Sequence, residues 1–347
     1  MKNIESRIPL LDLLRSLAIA LVLAVHFGES LMPGGSVGVS VFFCLSGFLI
    51  TQTLQDRKIG NREFLVRRFF RIYPAYLFVV AMYVTIFYIS DQQKFNEILQ
   101  KLPLIILTTD VSWVALGLGV LWTLQIEAFF YLLAPLIFRL IPVTLQVAAL
   151  FILIAVSFLL KTGELKGWLS NSFIQNAAGF SFVKMFFWAD NLLYGSLAAF
   201  VTRALNRRNY SINNKIGFAL PILLFTIIII IAKAWPSNNI YWPFQSSLVS
   251  ALTAVIIVLG LENTLLNNCI PRLFSTISLL TYALYLTHSF LIDFYFIIHD
   301  RVAIQKFAIR FPLQVFFTCI IAAAVFAFVE RPGVALGKRL LGKRKGQ

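Results

Sequence analysis

Apolar stretches recur along the whole chain, and short polar segments separate them. A stretch of about 20 apolar residues is long enough to cross the hydrocarbon core of a bilayer as a helix. Ten windows approach this length, and no long polar block lies between them. The pattern predicts an all-α, polytopic membrane bundle of one domain over residues 1–347, with about ten transmembrane helices near 10–28, 35–54, 73–90, 122–141, 143–160, 182–203, 216–234, 244–261, 274–298 and 312–330.

One apolar segment, 102–120, does not fit this scheme simply, because it contains Asp110. We expect this segment to be re-entrant or to form a further short span. An additional full crossing would invert the orientation of everything that follows it in the chain.

The prolines mark predicted helix starts and one predicted kink. Pro9, Pro74, Pro243 and Pro312 are expected in or next to a first helical turn, where the missing N–H costs nothing. Pro135 falls inside the fourth predicted span and should kink it.

Composition and charge support the membrane prediction. Hydrophobic residues make up 59% of the chain and charged residues only 13%, which excludes an ordinary soluble domain. The net charge of +15 could suggest a nucleic-acid partner, but twenty Lys and Arg fall on the amino-terminal side of the predicted membrane and nine on the other. This asymmetry predicts that both termini are cytoplasmic, that 331–347 is a short basic cytoplasmic tail, and that no nucleic acid is bound.

The first predicted span carries an aligned set of ionisable residues. Arg15 and His26 are 11 residues apart, which is three helical turns plus about 20°, so their side chains point the same way. Asp12 lies one turn before Arg15 and joins that face. Ionisable groups within a membrane usually face a bundle interior or a water-filled cavity. The alternative is a structural Asp12–Arg15 pair with a passive, interfacial His26.

Other predicted spans contribute similar groups. Glu127, Asp190 and His288 each lie inside a span, and the predicted topology places all three at the mid to outer depth of His26. Together they suggest a polar cavity that opens to the outside. For each residue alone, a structural hydrogen bond between helices is the alternative.

A basic cluster precedes the third predicted span. Arg68 and Arg71 are one helical turn apart and follow Arg67 directly. They are expected either to anchor on anionic headgroups or to bind a polyanionic ligand, because guanidinium groups pair bidentately with phosphate.

Metal and disulfide chemistry have no support in the sequence. Cys44, Cys269 and Cys319 are far apart and show no paired spacing, so we interpret them as core or lipid-facing residues. Three scattered histidines form no HExxH or comparable ligand set, and no metal site is predicted.

The ordered set of these segments is similar to the membrane-bound acyltransferase-3 family, which includes enzymes that O-acetylate O-antigen and other surface glycans. The resemblance covers nearly the whole chain and is like the shorter members, which lack a fused extracytoplasmic domain. One departure is Leu14, where the family commonly has Gly. The matching segments are "IPLLDLLRSLAIALVLAVH", "GVSVFFCLSGFLIT", "RRFFRIYPAY", "LWTLQIEAFFYLLAP", "NLLYGSLAA", "SLLTYALYLTH" and "VERP".

The resemblance implies a multi-pass enzyme of the bacterial plasma (inner) membrane. Its members transfer an acyl group, usually acetyl, from cytosolic acyl-CoA to a hydroxyl of an extracytoplasmic glycan or lipid-linked glycan. Acetyl-CoA would then be a co-substrate, with no permanently bound cofactor, and membrane lipids would surround the chain. The resemblance names neither the acceptor nor an oligomeric state.

The same resemblance suggests roles for the polar residues. Arg68, Arg71 and Arg15 would bind the phosphates of CoA, and the thioester would arrive near His26. His26 would act as general base, or alternatively carry an acyl-imidazole, with Arg15 and Glu127 completing the catalytic set. The residues expected to line the acceptor cavity are Asp12, Asp190, Tyr131, Tyr285 and His288.

Two further assignments complete the prediction. Ser46, in "LSGF", is expected to help helices pack rather than to act as a nucleophile. A transporter or flippase of lipid-linked glycans is the rival function, since it also needs a polar cavity and basic inner loops. Against that rival, the sequence shows no pair of corresponding Gly/Pro-broken spans.

Overall fold

The computed structural model describes residues 8–27, 32–101, 119–166, 180–235, 241–299 and 307–342. Helices dominate these residues, and no β-strand occurs among them. In chain order the helices are α1 (Pro9–Phe27), α2 (Val37–Gln55), α3 (Asn61–Ser90), α4 (Gln92–Lys101), α5 (Trp122–Leu140), α6 (Val143–Leu165), α7 (Phe180–Arg207), α8 (Asn214–Ala234), α9 (Trp242–Gly260), α10 (Thr264–Cys269), α11 (Arg272–His299), α12 (Phe307–Val325) and α13 (Arg331–Gly342). A 3₁₀ turn, Gly119–Leu121, precedes α5, and a π-helical segment, Phe326–Glu330, joins α12 to α13.

The prediction of an all-α polytopic membrane protein is confirmed. Within the described parts of the chain, eight helical segments are long and apolar enough to cross a bilayer: Pro9–Phe27, Val37–Gln55, Asn61–Ile89, Trp122–Leu140, Val143–Gly163, Asn214–Ala234, Pro243–Gly260 and Arg310–Gly342. The other two predicted spans, 182–203 and 274–298, fall on α7 and α11, which are 28 residues long. Most of 102–120 lies outside the described residues, and the orientation of the termini stays a prediction.

The predicted helix starts were correct at two prolines and wrong at two others. Pro9 is the first residue of α1, and Pro243 lies at the start of α9. Pro74 and Pro312 instead lie inside α3 and α12. The prediction failed at Pro74 because an apolar window marks only the hydrocarbon-spanning part of a helix, whereas α3 begins earlier, in its arginine-rich part. Pro135 lies inside α5, as predicted.

The chain forms two compact units. The first comprises Met1–Lys58 with Leu133–Thr281, and the second comprises Ile59–Leu132 with Tyr282–Gln347. The prediction of a single transmembrane domain is not tested by this division and stays a prediction.

In the first unit, α2 and α7 cross with their backbones in contact. A Cβ atom added to Gly47 would lie 1.8 Å from the carbonyl oxygen of Leu192, and one added to Gly195 would lie 1.8 Å from that of Cys44. Only glycine fits at both positions. The small residues of span two therefore pack helices closely, while the role of Ser46 itself stays a prediction.

A buried ion pair links α6 and α7. The Lys161 ammonium donates to both carboxylate oxygens of Asp190, at 2.8 and 2.7 Å, and to Ser247 Oγ of α9 at 2.6 Å. Lys161 is 1% exposed and Asp190 is 0% exposed. The ammonium also lies 5.3–5.9 Å from three aromatic ring centroids, those of Phe158, Phe187 and Trp188. Its charge is therefore neutralised and its donors are used.

Lys161 is one of the nine basic residues that the sequence analysis counted on the far side of the predicted membrane, and this pair corrects that assignment. The hydropathy window ended at residue 160 because lysine is strongly polar, but α6 continues to Leu165. Burial of the lysine is tolerated because Asp190 neutralises it within the protein.

The ion pair matters because it ties the later part of α6 to α7. The start of α6 is held instead by Gln146 Nε2, which donates to the Phe138 and Ile141 carbonyl oxygens at 3.2 and 2.6 Å. Much of α6 faces outward, with Phe151, Ile152 and Leu159 exposed. Ser157 Oγ also donates to the Phe187 carbonyl oxygen of α7, at 2.8 Å. Lys161 and Ser157, one turn apart, therefore fix α6 against α7.

In the second unit, α13 packs against α3 through small residues. A Cβ at Gly333 would lie 2.6 Å from Pro74 Cγ, and one at Gly337 would lie 2.7 Å from Phe70 Cβ. The predicted tail 331–347 is thus helical as far as Gly342 and contacts the arginine-rich part of α3. Its cytoplasmic location stays a prediction.

Removal of one partner of the ion pair should destabilise the protein strongly. Lys161→Met or Asp190→Asn leaves a buried polar or charged group without its partner, and we expect each to lower the free energy of unfolding by about 3–5 kcal/mol. The double variant should lose less than the sum of the two single losses, because both charges are gone. Thermal unfolding of purified protein in detergent measures this.

Lys166→Met is the matched control, because Lys166 is an exposed lysine just beyond α6. It should unfold close to the wild-type temperature. Single variants as stable as wild type, or strictly additive losses in the double variant, would show that the pair does not hold α6.

Candidate functional site

The polar stripe of α1 contacts the start of α11. Asp12 is buried, and its Oδ1 accepts a hydrogen bond from Ser278 Oγ at 2.7 Å. Ser16 Oγ lies 2.8 Å from the Asp12 carbonyl oxygen and 2.9 Å from that of Phe274. These contacts fix the depth and rotation of α1, and with them the direction in which its polar residues point.

The contact between Asp12 and Arg15 is long. Arg15 Nη1 lies 3.4 Å from Asp12 Oδ1, and the Arg15 side chain is 23% exposed. Asp12 Oδ2 is buried and has no hydrogen-bond partner among the described residues. The carboxylate is therefore only half satisfied by the protein, and Arg15 is not tightly clamped to it.

His26 lies at the outer end of the same stripe. Its Nδ1 is 2.8 Å from the carbonyl oxygen of Val22, one turn earlier. A carbonyl can only accept, so a neutral imidazole in this bond carries its proton on Nδ1. The lone pair is then on Nε2, which is the arrangement that a general base needs. The side chain is exposed at the surface of the first unit.

Asp190 has a structural partner in Lys161, as described above. This agrees with the alternative of a hydrogen bond between helices that the sequence left open for this residue. A part for Asp190 in a substrate cavity stays a prediction.

In the second unit, Arg68 is held by aromatic rings. Its guanidinium carbon lies 5.6 Å from the Phe64 ring centroid and 5.4 Å from that of Tyr131. Stacking of this kind orients a guanidinium without using its five N–H donors. Arg68 is half-buried, whereas Arg71, one turn later, is exposed. The neighbouring Arg67 instead pairs with Glu63 on the exposed face of α3.

Glu127 connects the arginines to the tyrosines of the second unit. Tyr131 Oη donates a short hydrogen bond to Glu127 Oε1, and the Tyr131 ring lies against Arg68. The Glu127 carboxylate also interacts electrostatically with Tyr282 and Tyr285 of α11. Glu127 therefore lies between the basic part of α3 and the polar residues of α11.

Tyr285 and His288 adjoin on α11. His288 Nδ1 lies 2.6 Å from the Tyr285 carbonyl oxygen, and the Tyr285 hydroxyl lies 2.9 Å from Thr123 Oγ1. Both side chains are buried. They lie one turn apart on α11, and the Tyr285 hydroxyl reaches the start of α5.

Glu330 is a residue to which sequence reasoning gave no role, although it belongs to the "VERP" segment. It is 5% exposed, and its Oε2 is buried without a hydrogen-bond partner among the described residues. The carboxylate interacts electrostatically with Arg71 and Tyr282. It ends a π-helical turn, a local irregularity that is frequent at functional sites. The sequence signal that could have identified Glu330 is a single carboxylate at the end of an apolar span.

Apart from Asp190, the predicted site residues fall into two groups in the structure. Asp12, Arg15 and His26 follow one face of α1 in the first unit. The second unit brings together Arg68, Arg71, Glu127 and Tyr131, joined by Tyr282 and Glu330, with Tyr285 and His288 beside them. The shared catalytic role expected for Glu127 and His26 concerns residues of different units and stays a prediction.

These groups define what the chemistry can be. Two guanidinium groups suit a phosphate-bearing ligand, and an imidazole with its lone pair on Nε2 suits proton transfer. Among the described residues, no group of three or more His, Cys, Asp or Glu side chains is placed to hold a metal ion.

Known proteins support a functional assignment. O-acetyltransferase OatA of Staphylococcus aureus (strain NCTC 8325 / PS 47) is 25% identical over 392 residues, which cover 98% of this chain and 60% of that protein. A putative O-acetyltransferase of S. aureus strain COL is 25% identical over 366 residues, which cover 94% of this chain and 57% of that protein. The chain thus spans less than two thirds of the length of these relatives.

A shorter match has a higher sequence identity. Peptidoglycan O-acetyltransferase OatA of Listeria monocytogenes serovar 1/2a is 39% identical over 83 residues, or 22% of this chain and 13% of that protein. No solved structure matches the chain significantly. The family model described as "Acyltransferase domain" matches residues 8–330, which include every site residue discussed above. The chain therefore belongs to the Acyltransferase domain family.

Proposed function

We propose that this protein is a transmembrane O-acetyltransferase that moves an acetyl group from cytosolic acetyl-CoA to a hydroxyl of an extracytoplasmic glycan. The observation that carries the proposal is the group around Arg68, where a stacked guanidinium, a second arginine and the Glu127–Tyr131 pair adjoin in a membrane-spanning unit. The family and the names of its relatives support the same reaction.

Acetyl-CoA suits the basic part of α3. Its phosphates carry several negative charges, and the fork of an arginine pairs with phosphate oxygens through two parallel bonds. Arg68 is presented by its rings, with Arg71 one turn away. In the first unit, Arg15 is half-buried and only loosely bonded to Asp12, and it is a separate candidate for binding phosphate.

His26 would supply the proton transfer. Its Nε2 takes the proton of the acceptor hydroxyl while the hydroxyl oxygen attacks the carbonyl carbon of the thioester. The carbon–sulfur bond then breaks, and the imidazolium returns the proton to the departing CoA thiolate. The products are an acetyl ester and free CoA thiol, and His26 ends in its starting state.

The acceptor is proposed to be a cell-surface glycan, free or lipid-linked, at a bacterial plasma membrane. O-antigen of lipopolysaccharide is one form of such an acceptor. Peptidoglycan, named for the Listeria relative, is another.

Loss of His26 should abolish transfer. We expect His26→Ala to reduce incorporation of labelled acetyl groups into extractable surface glycan by about 100-fold or more, the usual contribution of a general base. Arg15→Ala should also lose most incorporation. Wild type and variants are compared at equal membrane abundance, and the labelled sugar identifies the acceptor.

Val25→Ala is the control for disturbance of the end of α1, because Val25 is the half-buried neighbour of His26. It should keep near wild-type incorporation. Full labelling by His26→Ala would contradict both the general-base role and an acyl-imidazole on this residue.

Arg68 and Arg67 should behave differently. Arg68→Lys keeps the charge but loses the planar fork and its stacking, so we expect the KM for acetyl-CoA to rise about tenfold with kcat little changed. Arg67→Lys, on the exposed face of the same helix, is the matched control and should keep the wild-type KM. Steady-state kinetics on purified protein measure both constants. A fall in kcat at unchanged KM, or an equal effect of the two variants, would show that Arg68 does not bind the donor.

A further inference from the structure

Three helix ends of the first unit bring arginines together. α2 ends at Gln55, α5 ends at Leu140, and α7 ends at Arg207. Arg57, Arg139 and Arg203 lie at these ends, and we call them the arginine triad. None of them belongs to the acyl-donor group described above.

Two side-chain contacts and one electrostatic interaction relate these three helix ends. Arg203 Nη1 donates to Gln55 Oε1 at 3.3 Å, which joins α7 to α2. The Phe138 and Phe200 rings are 6.1 Å apart, which joins α5 to α7 one turn or less from Arg139 and Arg203. Arg57 and Arg139 interact electrostatically as like charges, which relates the end of α2 to the end of α5.

The backbone conformation of Arg57 is an independent indication that its side chain has a function. Arg57 has φ 51°, in the left-handed region that favours glycine. The same conformation at the end of α7 is held by Asn209, a residue type that tolerates it. At the end of α2 an arginine occupies a position where glycine would adopt the same backbone conformation at a lower free energy. An observed strained residue of this kind is a fair starting point for a functional hypothesis.

The local charge favours an anion. Asp56 directly follows α2, and Glu262, just beyond α9, accepts a hydrogen bond from Asn206 of α7. Basic residues outnumber them: Arg57, Lys58, Arg139, Arg203, Arg207 and Arg208. Helix C-termini carry partial negative charge, which offsets some of the repulsion within the triad. An anion bound between the arginines would neutralise the remaining repulsion.

We propose that the arginine triad binds a phosphate-bearing anion at this end of the first unit. Guanidinium groups match phosphate oxygens bidentately, and the positive-inside pattern predicts that this end faces the cytoplasm. The phosphate has two possible sources there, the headgroup of an anionic phospholipid or a soluble phosphate ester such as CoA. The proposal is independent of the acyl-transfer site, because it concerns binding and uses none of that site's residues.

The test measures thermal unfolding of the purified full chain in nanodiscs. Wild type is titrated either with phosphatidylglycerol in a phosphatidylcholine background or with CoA in phosphatidylcholine alone. We expect one of these probes to raise the unfolding temperature in a saturable manner. Arg57→Gln, Arg139→Gln and Arg203→Gln should each weaken the apparent affinity about fivefold, which corresponds to roughly 1 kcal/mol per arginine.

Two further variants keep the test decisive. Arg208→Gln removes the same charge from the same helix end but outside the triad, and it should respond as wild type does. Arg57→Gly relieves the left-handed backbone, so it should unfold at or above the wild-type temperature in phosphatidylcholine while losing about fivefold in apparent affinity for the anion.

Each of the following results either supports the proposal or overturns it. A response to phosphatidylglycerol that depends on the triad assigns a lipid phosphate, and the same response to CoA assigns a soluble one. No response to either probe, or an equal loss in Arg208→Gln, would overturn the proposal, since the arginines would then act only through the general charge of the surface.

Discussion

Hydrocarbon offers no hydrogen bonds, so a charge inside a membrane helix must find its partner within the protein, and the pair formed by Lys161 and Asp190 meets this constraint at the centre of the first unit. The ammonium has the two carboxylate oxygens, Ser247 Oγ and three aromatic rings around it. The outward face of α6 is apolar and exposed, so its polar bonds to α7 decide where it lies. α7 in turn packs against α2 where Gly47 and Gly195 cross. The position of α7 therefore fixes the depth of α2.

The polar residues best suited to bind a ligand or to react are those whose hydrogen-bonding groups are only partly satisfied by the described protein. Asp12 and Glu330 each keep a buried carboxylate oxygen without a described partner, in contrast to Asp190, whose two oxygens accept from Lys161. Arg68 is oriented by rings, and no described residue forms an ion pair with it, so its N–H donors can serve an anion. The distinction between a structural charge and a ligand-binding charge therefore lies in how its hydrogen bonds are used.

Much of this organisation was predictable because its signals are local. An apolar window of sufficient length predicts a span, and the spacing of Arg15 and His26 predicts a common face whatever the rest of the bundle does. The adjacency of Tyr285 and His288 follows from one helical turn. Pairings between distant segments left no such signal. Lys161 looks like a loop residue until Asp190 is placed beside it, and Pro74 looks like a helix start because hydropathy does not detect the polar beginning of α3. Glu330 shows only as a carboxylate at the end of an apolar stretch, and its neighbour Arg71 is some 260 positions away in the chain.

The central claim is that the membrane bundle transfers an acyl group rather than moving a glycan. The most direct test is the release of free CoA thiol by the purified wild-type chain, reconstituted in vesicles with acetyl-CoA and a lipid-linked glycan acceptor. The account predicts that thiol appears only when both substrates are present, with one thiol released for each acetyl ester formed on the glycan. Movement of the glycan across the vesicle membrane with no thiol released would contradict it and would favour a transporter.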